Sequence, residues 1–253
     1  MSAAAQEDVI RISSLMKTYP GSSHPALNQL TLNVARGRIF GLLGPNGAGK
    51  TTTISILCTL LRPDSGRVEV LGQQVPGAAA AIRRAIGLVP QEIALYPSLT
   101  IKENLSYFAR VLGVAKERRA ARIAACLDLV GLAEVAGRRI DRCSGGMKRR
   151  ANLAVGILHE PKILLLDEPT VGIDAQSRNL ILEQLRKLNR QGMTLLYTTH
   201  YMREAEEICD EIAIIDSGRV VVQGEPRQLI AGNPACESLE DLFLALTGKA
   251  LRE

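Results

Sequence analysis

The sequence predicts an α/β fold in which a parallel sheet core carries an inserted block of helices. Two apolar runs, residues 39–43 and 163–166, have the composition of strands buried on both faces, as the strands of parallel sheets are. Between about residues 92 and 150 the pattern is helical, and no strand signal returns until Ile163. A chain of 253 residues is long enough for one large domain or for a domain with a subdomain.

Composition and charge argue against several classes of protein. The formal net charge of +5 is small for this length, so we expect no nucleic-acid partner. The five cysteines lie far apart with no C-x-x-C pair, which predicts a reduced, cytosolic setting. Residues 1–8 lack the pattern of a signal peptide, and no apolar stretch reaches the roughly 18 residues that cross a bilayer. If the protein acts at a membrane, we expect another chain to supply the span.

The first elements are strands joined by turns, at residues 9–15, 27–35, 39–43 and 67–71. Tyr19 lies in the first turn, where its ring is either a stacking surface for a base or an ordinary turn aromatic. A helix at residues 78–85 and a strand at 86–89 follow, and Gln91 comes directly after them. Gln91 is either a sensor of a bound phosphate or a common polar residue at a strand end.

A phosphate-binding loop is predicted between the strand at 39–43 and the helix that follows it. The residues fill every fixed position of the pattern G-x-x-x-x-G-K-S/T. Glycines let backbone N–H groups donate to phosphate oxygens, Lys50 adds a cation, and the Thr51 hydroxyl is a ligand for Mg²⁺. ATP and GTP fit equally well at this point. The residues expected to hold nucleotide here are Gly44, Pro45, Asn46, Gly47, Ala48, Gly49, Lys50, Thr51 and Thr52.

The helical insertion contains a second glycine-rich helix start. A capping box at residues 100–103 opens one helix, and another spans about 116–130. Ser144 is suited to cap a third helix, whose first turn then holds Gly145 and Gly146. Glycine costs a helix about 1 kcal/mol relative to alanine, so something must approach this backbone closely, and a second phosphate is one possibility. Residues 138–150, around this helix start, include a cluster of arginines. We expect several of them to form a solvated basic face.

Two carboxylates follow the second apolar strand. Asp167 is suited to anchor Mg²⁺, and Glu168 to act as the general base on an attacking water, although paired acids after a strand are often only a turn. Asp174 is predicted to cap a helix that runs to about Asn189. His200 comes just after the strand at 194–198, where α/β folds place ligands, but a structural histidine fits this position too.

The last part of the chain is predicted to contain a helix, two strands and a helical tail, at residues 202–209, 211–216, 219–224 and 225–253. The predicted division is a catalytic core of residues 1–91 and 160–224, a helical subdomain of 92–159 and this tail.

These motifs, in this order, resemble the ATP-binding subunits of ABC transporters along nearly the whole chain. The loop at 44–51 looks like Walker A, residues 143–147 like the signature, 164–168 like Walker B and 171–174 like the D-loop. Tyr19 looks like the adenine-stacking aromatic, Gln91 like the Q-loop and His200 like the switch histidine. The signature departs from the common Leu-Ser-Gly-Gly-Gln form at Cys143 and Met147, and residues 147–150 with 239–243 resemble daunorubicin-resistance exporters.

The resemblance implies a P-loop NTPase (RecA-like) core with an N-terminal antiparallel β portion and an inserted helical subdomain. It also implies a Mg²⁺-dependent ATPase, with Thr51, Gln91 and Asp167 at the metal and Glu168, Gln91 and His200 in catalysis. A head-to-tail homodimer is expected to enclose two ATP, each also contacted by Ser144, Gly145, Gly146 and Asp174. The implied setting is the cytoplasmic face of a membrane, on a separate integral permease. The alternatives are an importer subunit and a soluble ABC ATPase that handles nucleic acid or ribosomes.

Overall fold

The computed structural model describes residues 7–248, so the expectation that residues 1–8 hold no signal peptide falls mostly outside the described part. The strands are β1 (Asp8–Lys17), β2 (Leu27–Ala35), β3 (Ile39–Leu43), β4 (Ser65–Val70), β5 (Gln73–Gln74), β6 (Ile86–Val89), β7 (Ile163–Asp167), β8 (Thr194–Thr199), β9 (Glu211–Asp216) and β10 (Arg219–Gly224). The helices are α1 (Lys50–Leu57), α2 (Ala79–Ala85), α3 (Ile101–Val111), α4 (Lys116–Leu129), α5 (Gly145–Gly156), α6 (Ala175–Arg190), α7 (Met202–Ile208), α8 (Pro226–Ala231) and α9 (Leu239–Thr247).

The chain forms two compact units. One contains the described residues up to Arg83 together with those from Thr194 onward, and the other is Arg84–Met193. This division groups β6 and β7 with the helices, whereas the predicted helical subdomain covers only residues 92–159. The boundaries of that subdomain stay a prediction.

The first unit combines an antiparallel and a largely parallel group of strands. In the antiparallel group the order is β2-β1-β4-β5. In the other group β3 lies between β8 and β9 and is parallel to both, while β10 pairs with β9 in the antiparallel sense. Every residue of β3 and β8 is buried, which agrees with the continuous apolar runs in the sequence. Because β3 and β8 end side by side, the loops that follow them start at the same edge.

The second unit is the parallel pair β6 and β7 with helices α3 to α6. The predicted capping box is present, since Thr100 and Glu103 exchange side-chain to backbone hydrogen bonds. The side chains of Ser144 and Asp174 cap α5 and α6 as predicted. In the amphipathic α6, the leucines and isoleucine that repeat along one side are buried, namely Ile181, Leu182, Leu185 and Leu188.

Two further sequence expectations concern cysteines and membranes. All five cysteines are buried, and none forms a disulfide. Within residues 7–248, no helix combines the length and the apolar character that crossing a bilayer requires.

Candidate nucleotide-binding site

The loop between β3 and α1 has a backbone that side chains would obstruct. Gly49, the N-cap of α1, has φ 108°, and Gly47 has φ 83°, in the left-handed region that favours glycine. A Cβ on Gly44 would lie 2.3 Å from the carbonyl oxygen of Ile215, and one on Gly49 would lie 2.7 Å from that of Ala26. At Gly47, by contrast, a Cβ would meet no atom of the described chain within 4 Å. The two ends of the loop are packed against the protein and its middle is open.

The N-terminus of α1 is suited to bind an anion. Gly49 has no side chain with which to cap the first turn, so the N–H groups and the positive end of the helix dipole face the loop. Lys50 is 5% exposed, and its Nζ donates to the carbonyl oxygens of Gly44 at 2.7 Å and Pro45 at 3.2 Å. The ammonium group therefore lies over the loop that precedes it. These residues are suited to hold the phosphates of a nucleotide.

Tyr19 and His200 belong to the same unit as this loop. The Tyr19 hydroxyl lies 3.2 Å from Oγ1 of Thr52 in α1, and the side chain is 43% exposed. Thr199, the last residue of β8, pairs with Leu43, the last residue of β3. His200 therefore begins the loop next to Gly44, and its ring lies 4.2 Å from that of Tyr201. The structure brings these sequence-predicted residues to one end of the strands.

In the second unit, Gln91 and Glu168 meet at the ends of β6 and β7. Val89 pairs with Leu166, and Gln91 Nε2 donates to Glu168 Oε2 at 3.3 Å. Asp167 and Glu168 are only 4% and 5% exposed. Glu168 also has φ 47°, an unusual backbone conformation for a residue with a side chain, and such strain is concentrated at functional sites. The Glu168 carboxylate is therefore buried and accepts a hydrogen bond from the Gln91 amide, and the backbone of this residue is in the left-handed region.

Arg149 is not among the predicted site residues, yet it is only 9% exposed. Its Nη1 donates to the carbonyl oxygens of Pro90, at 3.5 Å, and Gln91, and its Nη2 donates to that of Val171 at 3.3 Å. Burial lowers the pKa of the Arg149 guanidinium, and the charge of Glu168 acts in the opposite direction. The expected solvated basic face is found at the exposed Arg138, Arg139 and Arg142, but not at Arg149. No local pattern marks this contact, because Arg149 lies 58 positions from Gln91 and 22 positions from Val171.

The start of α5 has one packed glycine and one open glycine. A Cβ on Gly146 would lie 2.0 Å from Oγ of Ser177, whereas on Gly145 the nearest atom would be the carbonyl oxygen of Gly172 at 3.7 Å. Packing inside the unit thus accounts for Gly146, and the close approach expected from the sequence is made there by Ser177. Ser177 in turn donates its N–H and its hydroxyl to Asp174, each at 2.8 Å. These bonds lower the pKa of the Asp174 carboxyl.

Both residues that depart from the common signature, Cys143 and Met147, make local contacts. Cys143 is 7% exposed, and its Sγ donates to the Arg139 carbonyl oxygen at 3.3 Å, so it fills an interior position as an apolar residue would. Burial raises the pKa of the Cys143 thiol, which keeps it protonated. The Met147 sulfur lies 3.7 Å from Nη1 of Arg138.

A glycine-rich loop between a buried parallel strand and a helix, in a chain with two carboxylates after another such strand, defines a P-loop nucleotide-binding domain. The sequence model of the ABC transporter family matches residues 27–171. The chain belongs to this family, and its domain is an ABC-type ATPase. The predicted family and fold class are thereby confirmed.

Two relatives illustrate the match. The linearmycin resistance ATP-binding protein of Bacillus subtilis is 48% identical over 225 residues, which are 88% of this chain and 70% of that protein. The Nod factor export ATP-binding protein I of Ralstonia nicotianae is 40% identical over 232 residues, covering 92% and 72%.

Solved structures agree with the fold. The cbiO1 protein of Clostridium perfringens, described as part of the ABC transporter complex cbiONQ, matches with a TM-score of 0.81 and 28% identity, covering 89% of this chain and 92% of that one. A dimeric ATP-binding cassette in a post-hydrolysis state, bound to ADP and Pi, matches with a TM-score of 0.78 and 28% identity, covering 85% and 98%.

Proposed function

We propose that this chain hydrolyses ATP as a head-to-tail dimer and thereby powers export through a separate integral membrane protein. The relatives named above are a resistance protein and an export protein, which favours export over import. The main support for a dimer comes from the N-terminus of α5. Ser144 is exposed and the backbone at Gly145 is bare, so an anion can reach this helix end from outside the chain. The solved ATP-binding cassette bound to ADP and Pi is dimeric, which supports a dimer here.

In this proposal the first unit grips the nucleotide. Residues 44–52 hold the phosphates, with Lys50 as the cation, and Tyr19 stacks on the adenine. Ser144, Gly145, Gly146 and Asp174 of the second copy complete the pocket. Two-fold symmetry then produces two such pockets from one loop and one signature per chain.

The proposed hydrolysis needs a base and a polarised phosphate. Glu168 takes a proton from the attacking water, and the hydrogen bond from Gln91 Nε2 orients this carboxylate. His200 contacts the terminal phosphate. Mg²⁺, when bound, offsets negative charge on the phosphate oxygens. Thr51, Gln91 and Asp167 are the residues proposed to hold it, and hydroxyl, amide and carboxylate oxygens suit this ion.

Mixing two inactive variants tests the head-to-tail dimer. We expect Lys50→Ala to lack phosphate binding and Ser144→Arg to block the signature. In a mixed dimer, the intact loop of one chain faces the intact signature of the other, which makes one complete pocket of the two. About half of the dimers in an equal mixture are mixed, so about a quarter of wild-type ATPase activity should return. The matched control mixes K50A with the double variant K50A/S144R, a pair that cannot form a complete pocket.

Two outcomes would contradict the dimer. One is a mixture that stays inactive although both chains fold and the wild type hydrolyses ATP. The other is full activity of S144R alone, since the pocket would then be complete within one copy.

The membrane partner is tested separately. We place the protein at the cytoplasmic face of a membrane, and we expect an integral protein to co-purify with it from detergent-solubilised membranes. Recovery of nucleic acid or ribosomes instead, with binding that weakens steeply as salt is raised, would overturn the transport proposal.

A further inference from the structure

The side chain of Arg149 connects three segments of the second unit. It originates in α5, which begins with the signature, and reaches the carbonyl oxygens of Pro90 and Gln91 after β6. Its other amino group reaches the carbonyl oxygen of Val171, which follows Glu168 by three residues. A guanidinium is planar and rigid, so one group with two donor arms fixes both loops in relation to α5.

Asn152 is a second clamp on the same loop. This residue lies almost one turn after Arg149 and is only 2% exposed. Its Nδ2 donates to the Pro90 carbonyl oxygen at 3.3 Å, and its Oδ1 accepts from the Ala94 N–H at 3.3 Å. The backbone on both sides of Gln91 is therefore attached to α5.

We propose that Arg149 is a positioning residue that sets Gln91 against Glu168 and couples this pair to the signature helix. The inference rests on the proposed function and adds a physical route within one chain. With its backbone held from the α5 side, Gln91 directs its amide at the Glu168 carboxylate, 3.3 Å away. Any shift of α5 caused by a phosphate at Ser144 is then transmitted to the residue proposed to activate water. Asn152 assists by holding the same loop.

A matched pair of conservative substitutions tests the inference. Arg149→Lys keeps the charge, but a single ammonium on a flexible stem cannot hold two loops at once. Arg150→Lys is the control, because Nη1 of Arg150 likewise donates to two carbonyl oxygens, those of Val130 at 2.9 Å and Gly131 at 3.0 Å. Those acceptors lie just after α4 and belong to no proposed nucleotide-contacting segment.

We expect R149K to lower kcat by about 10- to 100-fold, the scale of a small misplacement of catalytic groups. The KM for ATP and the Kd of a fluorescent ATP analogue should change little, because the phosphate loop is untouched. R150K should keep kcat close to the wild-type value. Asn152→Asp keeps the acceptor for the Ala94 N–H and loses the donor to Pro90, so it should lower kcat in the same direction and serves if R149K does not fold.

Equal kcat values for wild type, R149K and N152D would overturn the inference. So would equal losses in R149K and R150K that follow a common drop in Tm, since that pattern is purely structural. Failure of the proposed dimer gives a different result, because the mixture of K50A and S144R stays inactive while R149K and R150K are still compared in the wild-type assay.

Discussion

Glu168 combines an uncommon backbone conformation with burial and a hydrogen bond at its carboxylate. Its φ is 47°, its side chain is 5% exposed, and its carboxylate accepts a hydrogen bond from Gln91. Such a residue costs stability, so its place directly after Asp167 is more readily explained by chemistry than by turn formation.

We expect Glu168→Gln to reduce kcat by about 10²–10⁴-fold while ATP binding is kept, because a neutral amide cannot accept the proton. Single-turnover hydrolysis and binding of a fluorescent ATP analogue measure the two effects. Glu160→Gln is the control, since Glu160 also has a positive φ, 56°, but is exposed and paired with Arg118. Near-normal hydrolysis in E168Q would exclude the assigned role.

Tyr19 offers a direct measurement of base stacking. Removing the ring in Tyr19→Ala should weaken ATP binding by about 5- to 150-fold, which corresponds to 1–3 kcal/mol. Tyr19→Phe keeps the ring and loses only the hydroxyl contact with Thr52, so its Kd should stay close to that of the wild type. The sequence contains no tryptophan, so Tyr19→Trp adds a single fluorescent reporter of nucleotide. Equal Kd values for the alanine and phenylalanine variants would contradict stacking.

His159 predicts a pH dependence of folding stability. Its Nε2 lies 2.8 Å from the Ile86 carbonyl oxygen, and burial lowers the pKa of the imidazole below 6.5. Between the folded and unfolded pKa values the unfolded chain binds more protons, so this contribution to the free energy of unfolding is present above pH 6.5 and falls as the pH drops. The variant His159→Gln can still donate a hydrogen bond to Ile86. Its free energy of unfolding, measured by urea denaturation, should fall less than that of the wild type between pH 7 and pH 5.5. An unchanged pH profile would contradict this assignment.

At the scale of elements, α5 and α6 can approach each other closely because Gly146 has no side chain. Gly146 allows Ser177 to approach, and Ser177 completes the cap that Asp174 forms on α6. The start of the signature helix and the start of α6 are thereby packed together.

Gly146→Ala should lower the free energy of unfolding by about 1–3 kcal/mol, because overpacking outweighs the better helix propensity of alanine. Gly145→Ala is the matched control, with room for the new methyl, and should be neutral or stabilising. Adding Ser177→Gly to G146A should recover part of the loss. Urea denaturation measures all four proteins, and an equal effect of the two glycine substitutions would refute the packing argument.

Strand β5 was not predicted, because it has only two residues and so contains too little of a period to be recognised. The short helix α8 lies within the predicted helical tail of residues 225–253. The longer predicted elements, such as α3 and α6, were placed to within a few residues, because a capping residue marked each start.

At the scale of the whole molecule, we expect ATPase activity to depend on protein concentration. If two copies complete each pocket, activity per protomer should rise with concentration and level off as dimers form. Light scattering without nucleotide should give the mass of a monomer, and E168Q with ATP should give that of a dimer. Constant activity per protomer over about a thousandfold range, from a protein that stays monomeric with ATP, would contradict the proposal.

The sequence by itself determined the phosphate loop, the three helix caps at Thr100, Ser144 and Asp174, and the buried parallel strands. These features depend on the spacing of neighbouring residues, which a single sequence displays. The tertiary structure decided why Gly146 is glycine and where Arg149 points. The Arg149 bond to Gln91 joins residues 58 positions apart. Such contacts depend on how helices and strands pack, and hydrophobic periodicity carries no record of which distant groups meet.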